Sequence, residues 1–356
     1  AAPETDPATR GLVGLIGQKL IQVVAFPLAE LLVDTVGEYF IGRWERAHRP
    51  NQVRLFGPSD RRLMVDPEMA GTDWDSMATG RALLYVHGTF STAQGGFSGI
   101  PDPVFDALHE NYGGRVFAFN HHSLSMSPEE NVAWFLDKIP SGTTLDLDII
   151  CHSRGGLVSR TLSGELQGFA GDLSKINVGK VVFVATPNNG TALADEENII
   201  GLLDRVATLA NIMPGVPLAE ALDAVLAVVK TVAHGVLTGL SGLASMRPDG
   251  EFLDRLNQGD AVAAEYFALA AEYEPTNPGL RSLIAGAKDA LIDTVFGGEP
   301  NDLVVPTVGV YRGKPDANFP IEGPNLLEFP PERGVNHSTF WAEPETADRF
   351  LSWLTG

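Results

Sequence analysis

Mainly apolar runs of strand length alternate with amphipathic stretches along the first half of the chain. The four clearest runs are "ALLYV" from residue 82, "VFAFN" from 116, "LDLDIIC" from 145 and "KVVFV" from 180. The stretches between them have helical periodicity over residues 102–112, 128–139 and 155–168. Strands that are apolar on both faces are typical of a parallel sheet covered by helices on both sides. The alternation therefore predicts an α/β fold with a doubly wound, mostly parallel sheet.

The alternation is weaker before and after this region. "NQVRLFGP" and "RRLMVDP" predict short strands near the start, and "RSLIAGA" and "NLLEFPP" predict strands at 281–287 and 325–331. Residues 188–279 have a mostly helical pattern without a clear strand, which predicts a helical cap inserted into the sheet. A terminal helix follows in "AEPETADRFLSWLTG". We therefore expect one α/β domain over residues 51–356 behind an N-terminal helical extension over residues 1–50.

Composition and charge exclude several classes of protein. The chain has 356 residues, of which 44% are hydrophobic, and this is enough for a large globular core. Its formal net charge is −20, and since a phosphate-binding surface must be basic, nucleic acid is not an expected partner. Cys151 is the single cysteine, which rules out an intrachain disulfide and a cysteine-based metal site.

Two long stretches, over residues 11–41 and 198–246, are rich in apolar residues. Charged residues interrupt both, such as Lys19 and Asp34 in the first and Asp204 in the second, so neither predicts a membrane-spanning helix. We expect amphipathic helices that pack on the core or cover a cleft. The chain begins with alanine, and "AAPETDPATR" lacks the apolar core of a signal peptide. We therefore expect a processed or trimmed chain, with secretion and earlier removal of the signal as one route.

The segment "CHSRGG" joins one apolar run to the next helical stretch. Ser153 at this junction is either the N-cap of a helix or a nucleophile held on a tight turn. A tight turn needs small residues two positions to either side of the serine, and Gly155 meets that need. Cys151 occupies the other small position, where glycine is commoner. If Ser153 reacts, the backbone N–H of Arg154 at the helix start would donate to a developing oxyanion.

Three further segments follow predicted strands and carry groups that a nucleophilic serine requires. In "YVHGTF", Gly88 permits close backbone approach and the N–H of Thr89 would be a second oxyanion donor, although an ordinary glycine turn has the same pattern. In "NDLVVP", Asp302 is a candidate acid or a turn carboxylate, and we prefer it to its rival Asp293 because the valines and proline that follow can hold it rigidly. In "VNHSTF", His337 is a candidate general base or a surface histidine. The order serine, aspartate, histidine along the chain favours the catalytic interpretation.

The remaining histidines and acidic residues have less specific patterns. His152 precedes the serine, and we expect it to pack there or to support the serine by polar contact. His121 and His122 follow a predicted strand and could line a cleft or bind a metal, but no suitable carboxylate spacing lies nearby. The acidic run from Asp195 to Glu197 is typical of a solvated helix start. No metal site is therefore predicted.

Taken together, these segments make the chain resemble the α/β-hydrolase superfamily, and within it bacterial lipases and related serine esterases. The resemblance rests on "YVHGTF", "CHSRGG", "VVFVATPNNGT", "NDLVVP", "VNHSTF" and "MRPDGEFLDRLN", and it extends over about residues 80–355. It implies a serine hydrolase without a cofactor, with nucleophile Ser153, acid Asp302, base His337, oxyanion donors Thr89 and Arg154, and supporting residues Gly88, Gly155 and His152.

The reaction that this resemblance implies is hydrolysis of carboxylic esters through an acyl-enzyme, on substrates with hydrophobic acyl groups. We expect residues 198–246 to form an acyl-binding wall over the cleft and to make transient contact with a lipid interface. Two alternatives stay open. A thioesterase or acyltransferase would share the same catalytic residues, and a non-catalytic module would use the two apolar stretches to bind a membrane or a protein.

Overall fold

One seven-stranded sheet runs through the computed structural model of the protein. The structure describes residues 33–63, 68–195, 198, 240–274, 295–313 and 318–355. The strands are β1 (Gln52–Leu55), β2 (Ala82–Val86), β3 (Val116–Asn120), β4 (Leu145–His152), β5 (Ile176–Val184), β6 (Glu265–Ala271) and β7 (Leu326–Phe329). Their order in the sheet is β1-β3-β2-β4-β5-β6-β7, and all neighbours are parallel except β1 and β3. The predicted mostly parallel sheet is confirmed.

Helices connect and flank these strands. They are α1 (Val33–His48), α2 (Gly71–Met77), α3 (Ala93–Phe97), α4 (Asp102–Asn111), α5 (Pro128–Lys138), α6 (Gly155–Leu162), α7 (Ser241–Ala244), α8 (Glu251–Leu256), α9 (Thr307–Tyr311) and α10 (Pro344–Thr355). Short 3₁₀ turns occur at Leu173–Lys175, Ala192–Ala194, Gly323–Asn325, Pro331–Arg333 and Phe340–Ala342. The helices predicted over 102–112 and 128–139 correspond to α4 and α5, and the predicted terminal helix is α10.

Helices cover both faces of the sheet. Successive side chains of a strand point to opposite faces, and here they belong to two separate apolar clusters. Leu84 of β2 lies in one cluster with Phe135 of α5. Its neighbour Leu83 lies in the other cluster with Phe105 of α4 and Trp353 of α10. Because both faces are buried, the strands are apolar at successive positions, and the predicted doubly wound arrangement is confirmed.

Helix α6 is shorter than the sequence predicted. The pattern predicted a helix over 155–168, but α6 ends at Leu162, and Gly164 follows with a backbone φ of +93°. Glycine ends a helix readily in this left-handed conformation because it lacks the Cβ that makes the conformation costly. Leu166 beyond the helix is also buried, so the apolar periodicity continues past the point where the helix stops.

Strand β6 corrects the prediction that residues 188–279 contain no strand. The segment "EYFALAA" pairs in parallel with β5 and β7, and all but its first residue are buried. Its three alanines and lack of β-branched residues are typical of a helix, and burial on both faces removes the alternation that would indicate a strand. The predicted strand at 281–287 lies outside the described residues. Of "RRLMVDP", only residues 61–63 are described, and they form no strand.

Helix α1 is the first described element, and with the rest of the chain it belongs to one unit that begins at Val33. Residues 1–32 lie outside the described residues. None of the helices in the described part of the chain is long and apolar enough to cross a membrane. The strand order, with a strand–turn–helix junction after the central strand β4, is that of the α/β-hydrolase fold.

Candidate active site

Ser153 lies at the turn between β4 and α6, the elbow (residues 151–156), with a backbone φ of +53°. A side chain other than glycine is strained in this left-handed region, and such residues cluster at functional sites. Two backbone hydrogen bonds hold the turn: Ser153 N–H donates to Val184 O at 2.8 Å, and Gly156 N–H donates to Ser153 O at 2.9 Å. Ser153 is thus presented at the carboxyl end of the central strand, where ligand sites of parallel sheets lie.

Two glycines let the backbone close around this serine. A Cβ built on Gly155 would lie 2.3 Å from the carbonyl O of Val86, and a Cβ built on Gly88 would lie 2.6 Å from Ser153 Cβ. Carbon atoms do not approach other groups this closely without a shift of the surrounding backbone. A side chain at either position would therefore displace the elbow or the end of β2.

Cys151 occupies the other small position of the elbow. Its side chain is fully buried, and Sγ donates to Val182 O at 3.3 Å. Burial raises the pKa of the thiol to about 12, so the group stays neutral at ordinary pH and is a poor nucleophile. Cys151 therefore acts as a small packing residue in the place of the commoner glycine.

The backbone N–H groups of Thr89 and Arg154 have no acceptor among the described residues. Neither group donates to any hydrogen bond within the part of the chain that the structure describes, whereas the next amide, that of Phe90, is bonded. Thr89 follows Gly88, which packs directly against Ser153. The two donors thus belong to segments that meet at the serine.

Asp302 and His337 meet in the loops that follow β6 and β7. His337 Nδ1 and Asp302 Oδ2 are 2.8 Å apart, and both side chains are buried. The other carboxylate oxygen, Oδ1, accepts hydrogen bonds from the N–H groups of Val304 and Val305 at 3.0 and 2.8 Å. The backbone joins the pair as well, because His337 N–H donates to Asp302 O at 2.9 Å. With Nδ1 engaged by the carboxylate, Nε2 is the nitrogen left to act as a base.

His152 connects the elbow to the loop of His337. Its Nε2 lies 2.7 Å from His337 O, and since a carbonyl oxygen only accepts, Nε2 carries the proton. Burial first, and then the neighbouring His337, lower the pKa of His152 to about 3, so its ring is neutral near pH 7. No hydrogen bond joins Ser153 Oγ to any described residue, His337 included. A nucleophile–base hydrogen bond is often long until substrate binds.

The side chain of Arg154 has contacts that sequence reasoning missed. It is fully buried, and its guanidinium donates to Gly242 O at 2.8 Å, to Asn131 Oδ1 at 3.1 Å and to Met126 O. Burial lowers its pKa to about 10, so it remains charged near pH 7. Arg154 therefore ties the start of α6 to α5 and α7. A charged residue between a buried strand and the apolar start of a helix is the signal that could have revealed it.

His121, the first of the two histidines after β3, is bound by protein groups through both ring nitrogens. The described residues contain no group of three or more histidine, cysteine, aspartate or glutamate side chains that could hold a metal ion. His121 stacks on His87 with 4.2 Å between ring centroids. Its Nε2 lies 2.9 Å from His87 O, and its Nδ1 lies 3.4 Å from an Arg154 Nη atom. Both of its ring nitrogens are therefore engaged by the protein.

Several predicted features fall outside the described residues, namely Asp293, Glu196, Glu197 and residues 199–239 of the apolar segment. The described end of that segment, residues 240–246, lies against the candidate site. Met246 Sδ is 3.7 Å from Thr89 Oγ1, and Gly242 O is the acceptor for Arg154 described above. This end of the segment therefore contacts both Thr89 and Arg154.

Solved structures with a similar fold include bacterial lipases and esterases. Lipase 1 from Pelosinus fermentans is 16% identical, with a TM-score of 0.48, and the similarity covers 76% of this chain and 98% of that one. EstA from Clostridium botulinum is 14% identical, with a TM-score of 0.48, covering 85% and 97%. The mature lipase BlEst2 from Bacillus licheniformis is 16% identical, with a TM-score of 0.42, covering 77% and 92%.

No curated protein matches the sequence. A family model described as "Domain of unknown function (DUF7379)" matches residues 48–355, a range that includes the whole sheet, the elbow and the Asp302–His337 pair. The chain therefore belongs to the DUF7379 family.

Proposed function

We propose that the protein is a serine hydrolase that cleaves carboxylic esters, with Ser153 as nucleophile, His337 as general base and Asp302 as its orienting carboxylate. The observation that carries the proposal is the buried contact of 2.8 Å between His337 Nδ1 and Asp302 Oδ2. A hydrogen bond from His152 to His337 O connects this pair to the turn in which Ser153 has a left-handed backbone. A serine, a histidine and a carboxylate in these roles perform acyl transfer on several unrelated folds.

In the first half of the proposed reaction, Ser153 Oγ attacks the ester carbonyl carbon while His337 Nε2 takes the hydroxyl proton. Asp302 keeps the proton of Nδ1 in place and stabilises the imidazolium that forms. The tetrahedral intermediate then collapses, the carbon–oxygen bond to the alcohol breaks, and His337 returns its proton to the leaving oxygen. Ser153 is left as an acyl ester.

The N–H groups of Thr89 and Arg154 are the proposed donors to the oxyanion of the tetrahedral intermediate. The Arg154 amide lies at the start of α6, where unpaired N–H groups favour negative charge. Donors fixed in advance stabilise the developing charge without reorganising during the reaction, and removal of one typically costs about 10²–10³ in rate.

The second half of the proposed reaction repeats these steps with water. His337 Nε2 takes a proton from a water molecule as its oxygen attacks the acyl carbon of the Ser153 ester. The bond from the acyl carbon to Ser153 Oγ then breaks, and His337 returns the proton to the serine. The products are the free enzyme and a carboxylic acid, and no proton or electron is left over.

An apolar acyl group is the proposed substrate feature. Leu243 and Met246 belong to the same apolar cluster as Phe90, beside the Thr89 amide. Met246 also contacts the Thr89 side chain. We propose the same apolar role for the rest of the segment over residues 198–246. On this proposal the segment covers the cleft, lines the acyl site and contacts a lipid interface while substrate enters.

A fluorophosphonate probe tests the proposed nucleophile, because it reacts covalently with an activated serine. We expect the full chain to be labelled at Ser153, as mapped by mass spectrometry of the digested protein. Ser153→Ala should lose the label and lose hydrolysis of p-nitrophenyl butyrate by about 10⁴-fold or more. Ser338→Ala, a change to the serine next to the proposed base, is the matched control and should keep both.

Labelling at another residue, or undiminished hydrolysis by Ser153→Ala, would contradict the proposal. Matched esters and thioesters, assayed with and without an added alcohol, separate a hydrolase of esters from a thioesterase or an acyltransferase. A series of esters with acyl chains from acetyl to lauroyl tests the apolar site, and we expect kcat/KM to rise with chain length. Liposome binding that persists in Ser153→Ala, without turnover by the parent protein, would favour a binding module.

A further inference from the structure

The loop after β2, residues 87–93 (the oxyanion loop), is held by the loop after β3, residues 120–126 (the β3 loop). The N–H of Phe90 donates to Ser123 Oγ at 3.2 Å. The N–H of Ala93 donates to Asn120 Oδ1 at 2.7 Å. Two side chains of the β3 loop thus bind the backbone of the oxyanion loop on the C-terminal side of Thr89.

A pair of histidines holds the N-terminal side of the oxyanion loop. His87 Nε2 accepts the His121 N–H at 3.1 Å, so the proton of the His87 ring is on Nδ1. That Nδ1 donates to Gly88 O at 2.8 Å. The His121 ring stacks on His87, and its Nε2 donates to His87 O. Burial, the largest effect, lowers the pKa of His87 to about 3, so this neutral form persists near pH 7.

These contacts orient the Gly88–Thr89 peptide, whose N–H is a proposed oxyanion donor. The C=O and N–H of a trans peptide point in opposite directions. Because the Gly88 C=O is bound by His87, the Thr89 N–H points away from that ring. The following peptide is fixed as well, by the bond from Phe90 N–H to Ser123 and by a φ of +58° at Phe90. The direction of the Thr89 N–H is therefore set on one side by His87, which His121 of the β3 loop holds, and on the other side by Ser123 of the β3 loop.

The second proposed donor belongs to a residue that binds the same loop. One Nη atom of Arg154 lies 3.4 Å from His121 Nδ1, and the other donates to Met126 O. The N–H groups of Thr89 and Arg154 are therefore both positioned relative to residues 120–126. A shift of the β3 loop would change the geometry of the whole oxyanion site.

Glu45 of helix α1 anchors the β3 loop. Its Oε1 accepts the N–H groups of Ser123 and Leu124 at 2.8 and 3.0 Å. Its Oε2 accepts hydrogen bonds from the N–H and the hydroxyl of Ser125 at 2.9 and 2.5 Å. The residue is only 2% exposed, so this carboxylate is withdrawn from water and compensated by four donors. Loss of the carboxylate would leave these buried donors without their acceptor, which is costly.

We infer that Glu45 is a positioning residue for the oxyanion donor Thr89 and that it acts through Ser123. The inference rests on the proposed function, because the Thr89 N–H matters in this way only if an oxyanion forms at Ser153. Helix α1 ends at residue 48, where the match to DUF7379 begins. Glu45 therefore lies just before the first residue that the family model matches, within the same structural unit as the rest of the candidate site.

Two serines of the β3 loop provide a matched test. Both bind the Glu45 carboxylate, but only the hydroxyl of Ser123 also accepts a hydrogen bond from the oxyanion loop. For Ser123→Ala we expect kcat to fall about 10- to 100-fold, with KM changed by less than about 2-fold. Ser125→Ala should stay within about 2-fold of the parent in both. Titration with a fluorophosphonate counts active sites, so that only folded enzyme enters kcat.

A trifluoromethyl ketone gives a readout that a merely structural role would not move. It forms a tetrahedral adduct whose oxyanion occupies the oxyanion site, so its Ki reports the strength of the donors. We expect Ki to rise in Ser123→Ala by the same factor as kcat/KM falls, and to stay unchanged in Ser125→Ala. A Ki in Ser123→Ala equal to that of the parent would overturn the inference.

Substitution of Glu45 itself extends the test. Glu45→Gln keeps an oxygen for Ser123 and Leu124 and should retain more kcat than Glu45→Ala, which we expect to lose about 10²-fold. If Glu45→Gln and Glu45→Ala both have the same kcat as the parent protein, the inference is contradicted. Should Glu45→Ala not fold, the two serine variants decide. Activity in Ser153→Ala would overturn the proposed function, whereas an inactive Ser153→Ala beside a fully active Ser123→Ala overturns only the role of Glu45.

Discussion

The two parts of the candidate site that hold Asp302 and the Gly88–Thr89 peptide, the acid side and the oxyanion side, are built in opposite ways. Asp302 is held by its own loop, because its carboxylate accepts the N–H groups of residues two and three positions further along the chain. The Gly88–Thr89 peptide is bound by its neighbour His87, and His87 and the next peptide are bound in turn by His121 and Ser123 of the β3 loop, about thirty residues away. Glu45 of α1 binds that loop. One side depends on local hydrogen bonds, and the other depends on several elements that must pack correctly.

This difference determines how each side should respond to mutation. A change at Asp302 alters chemistry within a loop that supports itself, so we expect catalysis to be lost while the fold remains. A change in the contacts around the oxyanion loop alters packing between elements, so stability and catalysis should be lost together.

Asp302→Asn should lower kcat by about 10⁴-fold with little loss of stability. An asparagine oxygen can still accept from Val304 and Val305, but its amide would then face His337 Nδ1 and favour the wrong tautomer of the ring. Steady-state hydrolysis measures the fall in kcat, and urea unfolding of the same preparation measures the stability. Asp293→Asn, a change to the rival acid, is the control and should retain activity. The reverse pattern would assign the acid role to Asp293.

Gly155→Ala should destabilise the elbow by about 3 kcal/mol and abolish fluorophosphonate labelling. The added Cβ would lie 2.3 Å from Val86 O and 2.5 Å from His87 O, so the end of β2 and the oxyanion loop would have to move. Urea unfolding measures the loss of stability. Gly71→Ala is the control, because a Cβ there has no neighbour within 4 Å. Full labelling of a stable Gly155→Ala protein would show that the elbow tolerates a side chain.

The buried histidines of the site should make the fold sensitive to acid. Burial lowers the pKa of His87 and of His152 to about 3, below the value of about 6.5 expected in the unfolded chain. At pH values between these two pKa values, the unfolded state binds more protons than the folded state. The free energy of unfolding therefore falls as the pH falls from about 6.5 towards 3, by about 1.4 kcal/mol per pH unit for each histidine.

Urea unfolding of the parent and of His152→Gln at pH 7, 6 and 5 checks this dependence. The variant has one such histidine fewer, so the slope of its unfolding free energy against pH should be smaller by about 1.4 kcal/mol per unit below pH 6. Parallel slopes for the two proteins would show that His152 is not held neutral by burial.

Ser153→Gly should be more stable than Ser153→Ala by about 1 kcal/mol, although both lack the proposed nucleophile. The φ of +53° costs free energy for any residue with a Cβ, and glycine removes that cost. Matched urea unfolding curves measure the difference. An alanine variant as stable as the glycine variant would indicate that the elbow relaxes once the serine is gone.

Features with local signatures could be predicted from the sequence. The valine-rich strand β5 and the helix boundaries of α4 and α5 followed from apolar periodicity, since each pattern lies within one element. The choice of Asp302 over Asp293 relied on the residues just after it. The structure shows the backbone of Val304 and Val305 binding that carboxylate, whereas Asp293 lies outside the described residues.

Features made by contacts between distant elements could not be predicted. The alanine-rich β6 is a strand because β5 and β7 bind it from both sides, and no residue pattern within it indicates that pairing. Glu45 looks like an ordinary charged residue in the sequence. The apolar segments on either side of Arg154 could have indicated that it is buried, but they do not indicate what it binds. Their partners lie in loops that only the packed fold brings near.

The sequence by itself determined the class of fold, the turn at Ser153 and the segments that supply Asp302 and His337, because strand patterns, glycines and short motifs act over a few residues. The tertiary structure decided the contact between Asp302 and His337, the stacking of His87 on His121 and the anchoring of the β3 loop by Glu45. Hydrogen bonds between groups far apart in the chain exist only where the packed fold brings those groups together, and no local pattern records them.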